Sequence, residues 1–178
     1  MTPSLDNIGF DVRGDVKIFD FGLSKLLPEN IDDSCSLKND IFMMTGQIGS
    51  LRYMAPEVVK SEYYNQLCDV YSFGILLFEM LTATLPYENM SISEHVLNVA
   101  IKGKRPSTSA VKPKIMATLI NNCWQQIFRS RPSFRSISTT IGLEYNKIKN
   151  CSEFYDEGLS RSQHILFRST HSIINVRT

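Results

Sequence analysis

Apolar and polar positions divide the chain into a strand-like beginning, a long polar stretch and a helical remainder. Ile8, Gly9 and Phe10 read as a short strand. Asp11-Val12-Arg13-Gly14-Asp15 has turn chemistry, with Gly14 free to take positive φ. Val16 to Phe19 returns as a second strand, so the two predict a hairpin. Residues 28–50 are rich in Asn, Asp and Ser and predict a loop. A loop of that length in a compact domain is usually functional or disordered.

From Leu67 to Leu81, "LCDVYSFGILLFEML", apolar residues go round most of a helix. Such a helix is expected to be buried on nearly all sides. Asp69 near its start is then a buried or half-buried charge that needs hydrogen-bond partners. "SISEH" predicts a helix over 91–102, with Ser91 as N-cap and Glu94 three residues later. Pro106 to Pro113 reads as a loop. Ile115, Met116, Leu119, Ile120, Cys123 and Trp124 fall at helical spacing, as do Phe134, Ile137, Ile141, Tyr145 and Ile148. The Ser- and Arg-rich stretch after Asn150 has weak periodicity and is expected to be loosely ordered.

Composition narrows the function classes without naming one. With 178 residues, one domain is the expectation. A net charge of +1 implies no strong global attraction to nucleic acid or to an anionic membrane. The longest strongly apolar run, "SFGILLFEML", is far short of a membrane span, and "MTPSLDN" has no signal-peptide pattern. Cys35, Cys68, Cys123 and Cys151 are widely spaced, with no CxxC pair, and fit inert thiols in a reducing, cytoplasmic setting. His95, His164 and His171 have no companion Cys or acidic cluster at ligand spacing, and no chemistry is assigned to them.

The chemistry concentrates at Phe19-Asp20-Phe21-Gly22. A carboxylate after a strand can coordinate Mg²⁺, and Gly22 lets the backbone turn sharply behind it. Three further stretches give this one context: "GSLRYMAPE" at Gly49 to Glu57, "DVYSFG" at Asp69 to Gly74, and "CWQQIFRSRPSF" at Cys123 to Phe134. In order and spacing the four resemble the C-terminal lobe of the protein kinase family over residues 6–148. The fold this implies is mostly α with a short β-hairpin, the C-terminal lobe of the α+β protein-kinase fold with the N-terminal lobe absent. It divides the chain into a partial kinase domain, 1–148, and a polar tail, 149–178.

The resemblance also implies roles. Asp20 matches the metal-binding Asp, and Asn7, thirteen positions before it, matches the catalytic-loop Asn that holds the second Mg²⁺. Phe21 would pack into the apolar column that couples the lobes. Ser50 matches the hydroxyl residue that bonds the catalytic Asp in Ser/Thr kinases. Thr45, Ser50, Ser34 and Ser36 are candidate modification sites in the activation segment between Asp20 and Glu57. Glu57 would pair with Arg131, and Asp69 would hold the catalytic-loop backbone. "RYMAPE" looks more like a Ser/Thr kinase of the tyrosine-kinase-like group than a true tyrosine kinase.

The chain also departs from the pattern. Counting back five from Asn7 reaches Thr2, which stands where the catalytic Asp is expected, and Ser4 stands where Ser/Thr kinases carry Lys. A hydroxyl cannot take the substrate's proton as a carboxylate does. The Gly-rich loop, strand Lys and partner Glu would all lie upstream. ATP and Mg²⁺ are therefore implied for an intact parent chain rather than for these residues alone. A helix that packs on 67–81 in the family would also be missing. Exposing about five large apolar side chains at ~1.5–3 kcal/mol each predicts a chain that is marginal or partner-dependent.

Two functions follow as expectations. One is phosphoryl transfer from Mg-ATP to protein Ser/Thr by a longer parent chain. The other is a non-catalytic, pseudokinase-like module that binds a substrate or regulatory protein. A gene-model start or alternative exon at Met1 would account for the mismatch at "MTPSLDN".

Overall fold

The computed structural model describes residues 7–19, 21, 24 and 48–152, with the side chains of 48–50 and 150–152 left aside. Thr2, Asp20, Gly22, Ser34, Ser36 and Thr45 lie outside the described residues, as do Cys35 and residues 153–178.

Strands β1 (Ile8–Phe10) and β2 (Val16–Ile18) form an antiparallel hairpin, with Ile8 opposite Ile18, Gly9 opposite Lys17 and Phe10 opposite Val16. The turn is built on Asp11. Its Oδ1 accepts from the N–H groups of Asp15 at 3.0 Å and Arg13 at 2.9 Å. These bonds, led by the one from Asp15, hold the carboxyl below its usual range. Gly14 takes φ of 83°, the left-handed region that glycine enters without strain.

The remainder is helical: α1 (Ile48–Tyr53), α2 (Pro56–Val59), α3 (Leu67–Thr82), α4 (Ile92–His95), α5 (Lys114–Cys123) and α6 (Phe134–Ser152). The sequence predicts a loop to residue 50, whereas α1 begins at Ile48. Gly49 and Ser50 are weak helix formers. Tertiary bonds hold the turn instead: Ser72 Oγ donates to the Tyr53 carbonyl at 2.7 Å, and Tyr53 Oη donates to Glu79 Oε2 at 2.6 Å. The helix predicted from Ser91 opens with a full capping box between Ser91 and Glu94. It then widens into a π-helical turn over Val96–Ile101, a form that periodicity does not reveal. Helix α6 continues to Ser152, past the expected boundary at 148.

The core is organised around α3. Every residue from Val70 to Phe78 is buried. The expectation that part of α3 would lie bare is corrected by its surroundings. Val16 of the hairpin, Tyr53 at the end of α1, Val111, Met116 and Ile120 of the α5 region, Trp124, and Ile137 and Ile141 of α6 share its cluster. Phe73 meets Phe134 edge-on at 5.9 Å, and Phe78 meets Trp124 at 5.7 Å. Exposed large apolar side chains collect elsewhere: Phe10, Val12, Phe19 and Phe21 are all more than half exposed.

Gly74 sets the separation of α3 from α5. A Cβ there would lie 2.7 Å from Cys123 Cβ, closer than carbon atoms approach. Gly74→Ala is therefore expected to destabilise the fold by about 1–3 kcal/mol in urea unfolding. An unchanged midpoint would mean the two helices have room to spare.

Candidate functional site

Two regions hold the residues singled out in the sequence. The first is the open end of the hairpin. The Phe19 N–H donates to the Asn7 carbonyl at 2.8 Å, one step beyond the β1–β2 ladder. This bond fixes Asn7, which is half-buried, against the residue that immediately precedes Asp20. Phe21 does not pack into an apolar column: it is 60% exposed, because no described element covers it.

The second region runs from α1 to the start of α3. Pro56 sits at the first position of α2, where its missing N–H costs nothing, and Glu57 follows it into the interior. Arg131 reaches Glu57 from 74 residues away in a bidentate pair, Nη1 to Oε1 at 2.6 Å and Nη2 to Oε2 at 2.8 Å. Both side chains are out of contact with water to within 5%. Two more guanidinium donors are used: Nε donates to the Gln125 carbonyl at 2.9 Å and Nη1 to the Leu67 carbonyl at 3.0 Å. The cation lies 5.1 Å from the Tyr71 ring centre. Asp69, in the first turn of α3, is half-buried. The side chain of Ser50 lies outside the described residues.

Three features were not singled out from sequence. Tyr53 and Glu79 join α1 to α3, and the available signal was a carboxylate on an otherwise apolar helix, which demands a partner. Arg105 forms a second hub. Its guanidinium donates to the carbonyls of Trp124, Val99 and Lys104 and to Gln126 Oε1, and it lies 5.0 Å from the same Tyr71 ring. His95 is buried to 4% exposure, and neither ring nitrogen has a partner. Its ring stands edge-on to Tyr87 at 5.1 Å. Burial, then the cations of Arg105 and Arg52, push its pKa down to about 4. Cys68 and Cys123 are inert by the same logic: burial pushes both thiols up to about 12.

Comparison with known proteins places this geometry in a family. The family described as "Protein tyrosine and serine/threonine kinase" matches residues 5–141. The chain is 33% identical over 159 residues to the serine/threonine/tyrosine-protein kinase HT1 of Arabidopsis thaliana, covering 89% of this chain and 36% of that protein. It is 40% identical over 124 residues to the serine/threonine-protein kinase VIK of the same plant, covering 68% of this chain and 26% of that one. The dual specificity protein kinase shkB of Dictyostelium discoideum is 37% identical over 140 residues, 78% of this chain and 20% of its own length. The chain belongs to the protein kinase family, on its tyrosine-kinase-like side. It spans about a third or less of the length of these relatives.

Two measurements check the energetics. Arg131→Met strands the Glu57 carboxylate in the interior and is expected to cost about 3–5 kcal/mol in urea unfolding. A double replacement, Glu57→Leu with Arg131→Met, should lose less than the sum of the single changes. His95 gives a pH dependence. Its folded pKa of about 4 lies below the ordinary 6.5, so the unfolded chain takes up the proton first. The stability His95 permits is full above about 6.5 and falls as pH drops toward 4. His95→Leu should remove that slope from the unfolding free energy, and an unaltered slope would show that other groups cause it.

Proposed function

We propose that this chain is the C-terminal lobe portion of a serine/threonine protein kinase, whose intact form transfers the γ-phosphoryl group of ATP to a protein hydroxyl. The observation that carries the reading is the bond at the hairpin's open end, which holds Asn7 against Phe19, the neighbour of Asp20. Asn7 and Asp20 are the residues that would hold Mg²⁺. Both present oxygen donors, as a hard cation requires. Mg²⁺ bound with ATP supplies charge neutralisation for the phosphoryl group.

The chain's own residues position and exclude. Asn7 offers a side-chain oxygen from a backbone pinned by the ladder. Ser50 precedes the run from Tyr53 to Glu57, which is tied to the core at Tyr53 and, through Arg131, at Glu57. Thr45 and Ser50 are the hydroxyls whose modification would bear on that segment, and Asp69 would hold the catalytic-loop backbone from the foot of α3. The partner is a protein substrate or regulator. No described helix is long and apolar enough to cross a membrane, and a cytoplasmic setting fits this role.

A second reading rests on Thr2. It stands where the family carries its catalytic Asp, and threonine has no carboxylate to accept the substrate's proton. On that reading the chain binds a protein without transferring phosphate. Phosphotransfer to casein, with Mg-ATP and the intact protein encoded by the full transcript, separates the two. The kinase reading expects transfer that falls about a hundredfold or more in Asp20→Asn. No transfer above the Asp20→Asn level leaves the binding module.

A further inference from the structure

Charge is distributed unevenly along the chain. The net charge is only +1, yet between Glu94 and Glu144 there is no Asp or Glu, and every charged side chain is Lys or Arg. Two of these cations are used inside the fold, Arg131 in its pair with Glu57 and Arg105 on the carbonyls of Trp124 and Val99. Lys102, Lys104 and Arg129 stay exposed, and none of them forms an ion pair among the described residues. Glu94, whose carboxyl feels the charge of Lys104, is itself held by the N–H and hydroxyl of Ser91 at the cap of α4.

Folding gathers the three free cations on one surface. Gln126 ties the loop after α5 to the end of the π-helical turn. Its Nε2 donates to the Ala100 carbonyl at 2.6 Å, and its Oε1 accepts from Arg105 Nη2 at 2.8 Å. Arg105 Nε reaches the Trp124 carbonyl at 2.9 Å. The chain from Ala100 to Arg105 therefore runs beside the chain from Trp124 to Ile127. Ile101 and Ile127 each stand one residue beyond the Ala100–Gln126 bond, and they are 60% and 66% exposed. Two bare aliphatic side chains are thus set among Lys102, Lys104 and Arg129.

This mixture selects the partner. Clustered cations answer a polyanion. Nucleic acid is disfavoured, because its bases stack on open aromatic rings. Here Trp124 is buried, and Phe128 is half-buried with the Arg129 guanidinium 5.7 Å from its ring centre. The isoleucines project, so they suit a soft apolar medium that closes round them. A bilayer of anionic phospholipid offers both components, charged headgroups for Lys and Arg and acyl chains just beneath for the isoleucines. Lysine stems can lie along that apolar boundary while their ammonium groups stay at the headgroups.

We propose that the surface centred on Gln126, with Lys102, Lys104 and Arg129 around Ile101 and Ile127, docks on the anionic headgroup layer of a phospholipid bilayer. The contact is peripheral and goes beyond the kinase reading. No nucleotide enters its test, so a failure of phosphotransfer leaves it untouched.

The test is sedimentation of the full 178-residue chain with sucrose-loaded vesicles. Phosphatidylcholine vesicles containing about a third phosphatidylserine should carry the chain down, and pure phosphatidylcholine vesicles should leave it in solution. Raising salt from about 0.1 M to about 0.5 M should release it. Lys102→Gln, Lys104→Gln and Arg129→Gln should each weaken partitioning about fivefold. Lys147→Gln, which removes an equal charge from exposed α6 surface, should not. Replacing Ile101 and Ile127 together by Ser should weaken partitioning about tenfold with every cation retained. All these side chains are exposed, and each variant is checked for native circular dichroism. Equal sedimentation with and without phosphatidylserine overturns the proposal. So does binding that survives the combined Lys102→Gln, Lys104→Gln and Arg129→Gln variant. Loss on removing the cations with no loss on removing the isoleucines assigns the surface to an acidic polypeptide and overturns the bilayer.

Discussion

The ion pair between Glu57 and Arg131 is the constraint on which the helical body turns. A guanidinium and a carboxylate shut away from water are tolerable only when every strong donor and acceptor is matched. Arg131 places four of its five N–H groups by gathering three separate pieces of backbone and side chain. It takes both oxygens of Glu57 on α2, the Leu67 carbonyl at the start of α3, and the Gln125 carbonyl ahead of the 3-10 turn at Phe128–Ser130. Once these are fixed, the path of the chain from Tyr53 into α3 has little freedom. The Tyr71 ring, with Arg131 and Arg105 each about 5 Å from its centre, ties the pair to the middle of α3. Such cation–ring contacts contribute more where the cation is desolvated.

From that constraint the molecule divides by solidity. The α1-to-α2 stretch is bound to the core by its own charges and by Tyr53, whose hydroxyl and carbonyl both bond to α3. A stretch held so firmly has little conformational freedom left to lose. The hairpin is attached more lightly, through Val16 and the partly buried Ile8 and Ile18. Its outer side chains stay in water, and three of them are phenylalanines. An apolar cluster exposed at the end of a hairpin is the kind of surface that another part of a protein covers.

Much of this was legible in the residues. The hairpin followed from an Asp/Gly turn between short apolar runs, the buried α3 from its lack of any polar face, and the α4 start from Ser91 and Glu94. The pairing of Glu57 with Arg131 was an implication of the family resemblance, since no local pattern links positions 74 residues apart. What stayed hidden was structure held by tertiary contacts alone. Helix α1 contains Gly49 and Ser50 and forms because Tyr53 is anchored. The π-helical turn keeps Val99 and Ala100 buried without a change of apolar spacing that could announce it. His95 looked inert because a lone histidine carries no ligand pattern. Only the fold shows it buried, unpaired and beside Arg52.

The central claim is that the stretch from Tyr53 to Lys60 is one mechanical unit with the helical core. Native-state hydrogen exchange tests it most directly, because exchange measures the free energy of local opening at each amide. The account predicts that the Val58, Val59 and Lys60 amides, bonded to Ala55 and Pro56 carbonyls, exchange in the same slow class as the amides of α3. Exchange of these amides through cheap local opening, while α3 stays protected, would contradict it.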